Sequence, residues 1–150
     1  MSGTYTNLLY HIVFSTKNRF PLIGKSLRDD LHAYLGGIVR EHNGIALIVG
    51  GMPDHIHILA KLKPKLAVSD VVRDIKAGSS KWVNDNKRGT RKFGWQDGFA
   101  AFSVSQSQSG RVRRYIAEQE QHHGQTDFKS ELLSMLVKNQ VEYDEETLWD

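Results

Sequence analysis

The chain has 150 residues, 39% of them hydrophobic and 25% charged, which suits one globular domain spanning 1–150 rather than two. Cysteine is absent, excluding disulfides, thiolate catalysis and thiolate zinc fingers. No apolar run approaches the roughly 18 residues of a membrane helix, and Met1–Thr6 lacks the charged and apolar regions of a signal peptide, so a cytoplasmic protein is expected.

The net charge of +3 conceals a segregation. Residues 61–114 carry 13 basic and 4 acidic side chains, whereas residues 115–150 carry 2 and 9. A stretch that basic fits a polyanionic partner such as nucleic acid, or else a solvated lysine-rich surface.

In chain order, Leu8 to Phe14 reads as a strand, with Tyr10, Ile12 and Phe14 on one face and Leu9, His11 and Val13 on the other. Ser26, with Asp29 three residues on, resembles a capping box opening a helix. Leu27, Leu31, Tyr34, Leu35 and Ile38 form its apolar stripe, and Asn43-Gly44 supplies a left-handed stop. Ile45 to Val49 is a short strand, Gly50 to Asp54 a turn, and His55 to Leu62 the next strand. After Pro64 a second helix turns Val68, Val71, Val72, Ile75, Ser79 and Trp82 inward.

A basic loop, Lys87 to Lys92, leads to a strand over Phe99 to Ser105. A polar helix is predicted over Arg111 to His123 and a last helix over Phe128 to Gln140, followed by an acidic tail. The expected fold is therefore α+β: a ferredoxin-like, RRM-like antiparallel sheet with helices on one face, the other face open for a site, and a C-terminal helical extension.

His55-Ile56-His57 carries the first chemical signal. Strand periodicity projects both imidazoles from one face, roughly 7 Å apart, where they can converge on one divalent ion or stand as two ordinary polar positions. The second signal is Tyr115. Gln119 lies four residues on, and His122 follows on the same predicted helical face. Few apolar partners exist on this helix to bury a tyrosine. Its phenol, ordinarily near pKa 10, would be helped toward phenolate by surrounding arginines and a metal ion.

These residues resemble a known family. Met52-Pro53-Asp54-His55-Ile56-His57-Ile58-Leu59 and Tyr115 through His123 look like the small single-tyrosine HUH transposases of the two-hundred/six-hundred-and-five group of insertion sequences. His11 to Lys17, Phe102 to Ser105, Glu142-Tyr143-Asp144 and Leu148-Trp149 extend the resemblance over nearly the whole chain.

The resemblance implies that His55, His57 and the Gln119 side-chain oxygen hold a divalent cation, magnesium or manganese. It implies that Tyr115 attacks a scissile phosphate of single-stranded DNA near a hairpin, giving a 5′-phosphotyrosine and a free 3′-hydroxyl. It further implies a homodimer whose tyrosine helix can complete the partner's site. Glu118 departs from the asparagine frequent in relatives.

Around this set, Lys87, Arg88, Arg91, Lys92, Arg111 and Arg114 are expected to contact DNA phosphates, with Lys61, Lys63 and Lys65 behind them. Trp95 and Phe93 suit either base stacking or packing. His11 and His122 are candidates for the shell around the metal, His122 and His123 also for DNA contacts or helix-end histidines, and Asp54 for a turn residue or a contact to metal-bound water. Two other functions fit parts of the pattern: a non-catalytic nucleic-acid-binding module, and a nickase or domesticated copy keeping the same chemistry.

Overall fold

The computed structural model describes residues 3–122 and 126–150, the side chain of His122 excepted. Four strands alternate with two long helices: β1 (Leu8–Ser15), α1 (Lys25–Glu41), β2 (Ile45–Met52), β3 (His55–Leu62), α2 (Val68–Asp85) and β4 (Ala100–Val104). Three shorter helices follow: α3 (Ser109–Ala117), α4 (Gln119–His122) and α5 (Phe128–Lys138). The sheet order is β2-β3-β1-β4 and every neighbouring pair is antiparallel, which is the ferredoxin-like arrangement.

Alternation along the strands divides the sheet into two differently covered faces. Ile12, Phe14, Ile56 and Ile58 point to one face and are sealed by Leu27, Leu31 and Leu35 of α1 and by Val71, Val72 and Ile75 of α2. Trp95 and Phe93 belong to this core. Trp95 packs edge-on against Phe14 and Phe93, and its indole N–H donates to Ser79 Oγ at 2.9 Å, so neither ring is available to stack a base.

The second face is not left open, as the sequence suggested. Val13 and Phe102 meet Phe128, Leu132 and Leu136 of α5, and Leu148 and Trp149 of the acidic tail close over the same cluster. The C-terminal extension is thus a lid on the face that carries His11, His55 and His57.

Local chemistry also departs from the sequence reading at several points. Helix α1 begins at Lys25 with Gly24 as its N-cap, so Ser26 lies within the first turn and makes no capping box. Its stop is as expected, with Asn43 at φ 61°. Strand β2 runs on through Gly50 and Gly51 to Met52, reducing the turn to Pro53-Asp54. Gly50 lies in β2 because α3 rests on it. A Cβ there would stand 2.7 Å from the Ile116 carbonyl oxygen, and Ile116 is fully buried.

The polar helix predicted from Arg111 is broken. Glu118 (φ −102°, ψ 26°) ends α3, and α4 restarts at Gln119. His123 lies outside the described residues.

Gly50→Ala tests how α3 is seated. The added methyl forces the Ile116 backbone away from β2, and a loss of ~1–3 kcal/mol in urea denaturation is expected, with secondary-structure content retained.

Candidate active site

The site grows from β3 outward. Because strand side chains alternate, His55 and His57 leave the same face, and both are fully buried under the C-terminal helices. Each imidazole has its Nδ1 occupied from outside. His55 Nδ1 is 2.7 Å from Asp54 Oδ1 in the hairpin turn, and His57 Nδ1 is 2.8 Å from His11 Nε2 on β1. These outer partners fix the ring orientations and turn both Nε2 atoms inward.

Three side chains from the C-terminal helices meet them. Gln119 Oε1 lies 3.0 Å from His55 Nε2. Glu131 Oε1 lies 3.1 Å from His57 Nε2 and 3.4 Å from His55 Nε2. Glu131 Oε2 accepts from Gln119 Nε2 at 3.1 Å and, in a very short bond, from the Tyr115 hydroxyl. One carboxylate therefore touches two imidazoles, an amide and a phenol.

This structure brings together Tyr115, Gln119, His55, His57 and His11, all singled out from the sequence, and adds Glu131, which was not. Tyr115 and Gln119 both reach the cluster although the helix between them is interrupted. Asp54 is a turn residue and also a hydrogen-bond partner of the first imidazole. Phe128 stacks on His55 with ring centroids 4.4 Å apart, closing that side against water.

The basic residues are dispersed. Arg111 lines the cavity in front of Tyr115, and Arg114 is exposed on the same helix. Arg88 is committed to α1, donating to the Ser26 carbonyl at 3.1 Å and to Asp30 Oδ2 at 2.9 Å. Arg91 lies over the Phe20 ring. Lys87, Arg88, Arg91 and Lys92 belong to the α2–β4 connection, which Arg88 ties to the helical layer remote from the histidine face.

The electrostatics follow from burying a carboxylate among donors. Burial alone would raise the Glu131 pKa, but hydrogen bonds from His55, His57 and Tyr115 hold it well below the usual carboxylate range. For His55, burial alone would lower the pKa; bonds to Asp54, Glu131 and Gln119 outweigh it and raise the value to about 9. His11 goes the other way, to about 3, because burial and the neighbouring His57 both disfavour its cation. Burial, followed by the Glu131 carboxylate, pushes the Tyr115 phenol above its ordinary value.

His55, His57 and Glu131 present ligand atoms that all lie within 4.8 Å of one another, so this buried group could hold a metal ion. Two imidazole nitrogens with a carboxylate and an amide oxygen make a mixed N/O donor set free of thiolate. Both inward-facing Nε2 atoms are already oriented for such a role.

A family model described as IS200-like transposase matches residues 4–119. ISDra2 transposase TnpA of Deinococcus radiodurans is 25% identical over 122 residues, which is 78% of this chain and 87% of that relative. A candidate transposase of known structure, from Deinococcus radiodurans R1, has a TM-score of 0.63 at 22% identity over 79% of this chain and 95% of its own. A REP-associated tyrosine transposase bound to a REP hairpin has a TM-score of 0.60 at 15% identity, covering 84% of this chain and 76% of that one. Both solved structures share the fold. Glu131 lies beyond the segment matched by the family model, residues 4–119, and outside the motifs that carried the resemblance. A sequence signal did exist: a carboxylate immediately before Leu132 and three after Phe128, on a helix otherwise turned to the core.

Glu131→Ala leaves buried donors without their acceptor and should cost ~3–5 kcal/mol near neutral pH. Because the folded His55 pKa lies above the unfolded value of about 6.5, the stabilisation linked to its cation is complete below that value. It is lost as pH rises through about 9. The stability gap between wild type and Glu131→Ala, measured by urea denaturation in chelator, should therefore narrow between pH 7 and pH 9.5.

Proposed function

The chain belongs to the IS200-like transposase family, and we propose that it cuts and rejoins single-stranded DNA beside hairpins, with Tyr115 as the nucleophile. The observation that carries this reading is the meeting of the Tyr115 phenol with the histidine pair in one buried hydrogen-bonded cluster. The fold relative bound to a hairpin supports the class of substrate.

His55 and His57, with Gln119 and Glu131 beside them, would hold a divalent ion of the magnesium or manganese type. Such an ion supplies Lewis-acid neutralisation of charge developing on the scissile phosphate.

The protein's own part is positioning and proton handling. Glu131 fixes the phenol oxygen at the edge of the cluster. As the phenol oxygen bonds to phosphorus, the P–O3′ bond breaks. The phenolic proton passes to the carboxylate in contact with it, and the departing 3′-oxygen takes up a proton from solvent water. Because the resting phenol is raised and Glu131 depressed, proton transfer ahead of attack is uphill, and the two events are expected to be concerted. The 5′-phosphotyrosine link conserves the phosphodiester energy, so a 3′-hydroxyl can reverse the step and join strands without a nucleotide cofactor.

Tyr115, Gln119 and Glu131 reach His55 and His57 within a single chain, and this favours a site built in cis, whether or not the protein is a homodimer. Lys87, Arg91, Arg114 and Lys92 remain proposed contacts for flanking DNA.

Labelled single-stranded hairpin DNA with manganese, analysed by denaturing electrophoresis, should give a covalent protein–DNA band with wild type. Tyr115→Phe and added chelator should each reduce it to background. An adduct that survives Tyr115→Phe refutes the nucleophile. DNA binding with no adduct under any ion favours a non-catalytic binding module. Mixing His57→Ala with Tyr115→Phe chains should not restore cleavage, whereas restoration would establish sites shared between subunits.

A further inference from the structure

We infer that the cleft between α3, β4 and α5 is the track for the DNA segment that becomes attached to Tyr115, with Arg111 and Lys138 as its phosphate contacts. The inference rests on the transposase reading and adds the path of the strand to it.

A cavity of about 970 Å³ opens in front of Tyr115, with His11 and Phe102 on its floor. Each of its two walls is one face of a helix. On α3, Arg111, Val112 and Tyr115 fall at positions i, i+1 and i+4; on α5, Glu131, Met135 and Lys138 fall at i, i+4 and i+7. Each wall therefore has a residue of the site at one end and a cation further along. The neighbouring side of α5 carries Phe128, Leu132 and Leu136 into the core, so its cavity-facing side is fixed rather than free to rotate.

The two cations are chemically available. Arg111 and Lys138 are exposed, and among the described residues neither has an ion pair or a side-chain hydrogen bond. Some other cations are compensated, Arg28 by Glu120, Arg73 by Asp70 and Asp74, and Lys81 by Asp85; exposed cations such as Lys63, Lys87 and Arg113 also lack an ion pair among the described residues, but none of these lines the cleft. An unpaired cation pair flanking the approach to a nucleophile suits a polyanionic strand.

Distances along the helices set the scale. Arg111 is four residues from Tyr115, about 6 Å along the axis, and Lys138 is seven from Glu131, about 10 Å. These spans place the cations one to two phosphates from the reacting one. Val112 and Met135, half-buried on facing walls, offer apolar surface to the bases between. A single strand can lower its backbone to a half-buried phenol in such a cleft, whereas the stacked, paired backbone of a duplex cannot.

The test is the salt dependence of binding. Affinity of the full-length protein for a short labelled oligothymidylate is measured by fluorescence anisotropy across a salt series. For single strands each phosphate contact contributes about 0.7 to the slope of log K against log salt. Arg111→Ala combined with Lys138→Ala should flatten the slope by about 1.4. The charge-keeping pair Arg111→Lys and Lys138→Arg should restore it, and Arg73→Ala combined with Lys81→Ala, an equal loss of surface charge elsewhere, should leave it unchanged.

In hairpin cleavage, the alanine pair should raise the DNA concentration for half-maximal rate more than it lowers the rate at saturation. An unchanged slope in the alanine pair, or failure of the charge-keeping pair to restore it, overturns the track. The binding arm requires no cleavage. A wild-type chain that forms no adduct while the slopes differ as expected sinks the chemistry and keeps the track.

Discussion

The Glu131 carboxylate is the constraint on which the C-terminal half of the molecule depends. A charge removed from water is tolerable only when its lone pairs are taken up, and here two imidazoles, an amide and a phenol take them. The bond network does more than neutralise a charge. It ties α3, α4 and α5 to β3, and it fixes the relative positions of the groups that must act together. Apolar packing of Phe128, Leu132 and Leu136 brings α5 to the sheet; the carboxylate sets where along the sheet it stops.

Behind this contact stands a sheet with two unlike faces. The helix-covered face is purely a packing surface, and its rigidity keeps β1 and β3 in register. That register sets His11 beside His57, where a ring nitrogen from each strand meets. A neutral His11, burial having removed its cation, can serve as a hydrogen-bond partner without opposing positive charge nearby. Asp54 performs the matching task for His55 from the hairpin turn. Orientation of both imidazoles is therefore settled by groups outside the cluster, before any ligand arrives.

The same layout separates chemistry from recognition. The buried end of the α3–α5 cleft holds the reacting phenol, and its exposed end holds unpaired positive charge. Charge in the α2–β4 loop is partly spent on the protein itself, as the Arg88–Asp30 pair shows. Segment charge counted along the chain could not distinguish these two situations, because pairing depends on which acidic groups the fold brings near.

The chain itself specified much of this protein. Period-two strands and period-3.6 helices in the order found here admit few packings other than the ferredoxin-like one. The same alternation put His55 and His57 on one face, and the spacing of Tyr115 and Gln119 marked them as neighbours. What depended on tertiary structure was contact between segments distant in sequence. Glu131 drew no attention in the sequence; it lies in the first turn of α5, and only the docking of that helix made it the centre of the site. The break at Glu118, the burial of Trp95 and the covering of the second sheet face share that origin. Local pattern records the preferences of neighbouring residues, whereas a buried polar cluster forms from whichever distant donors and acceptors the fold deprives of water together.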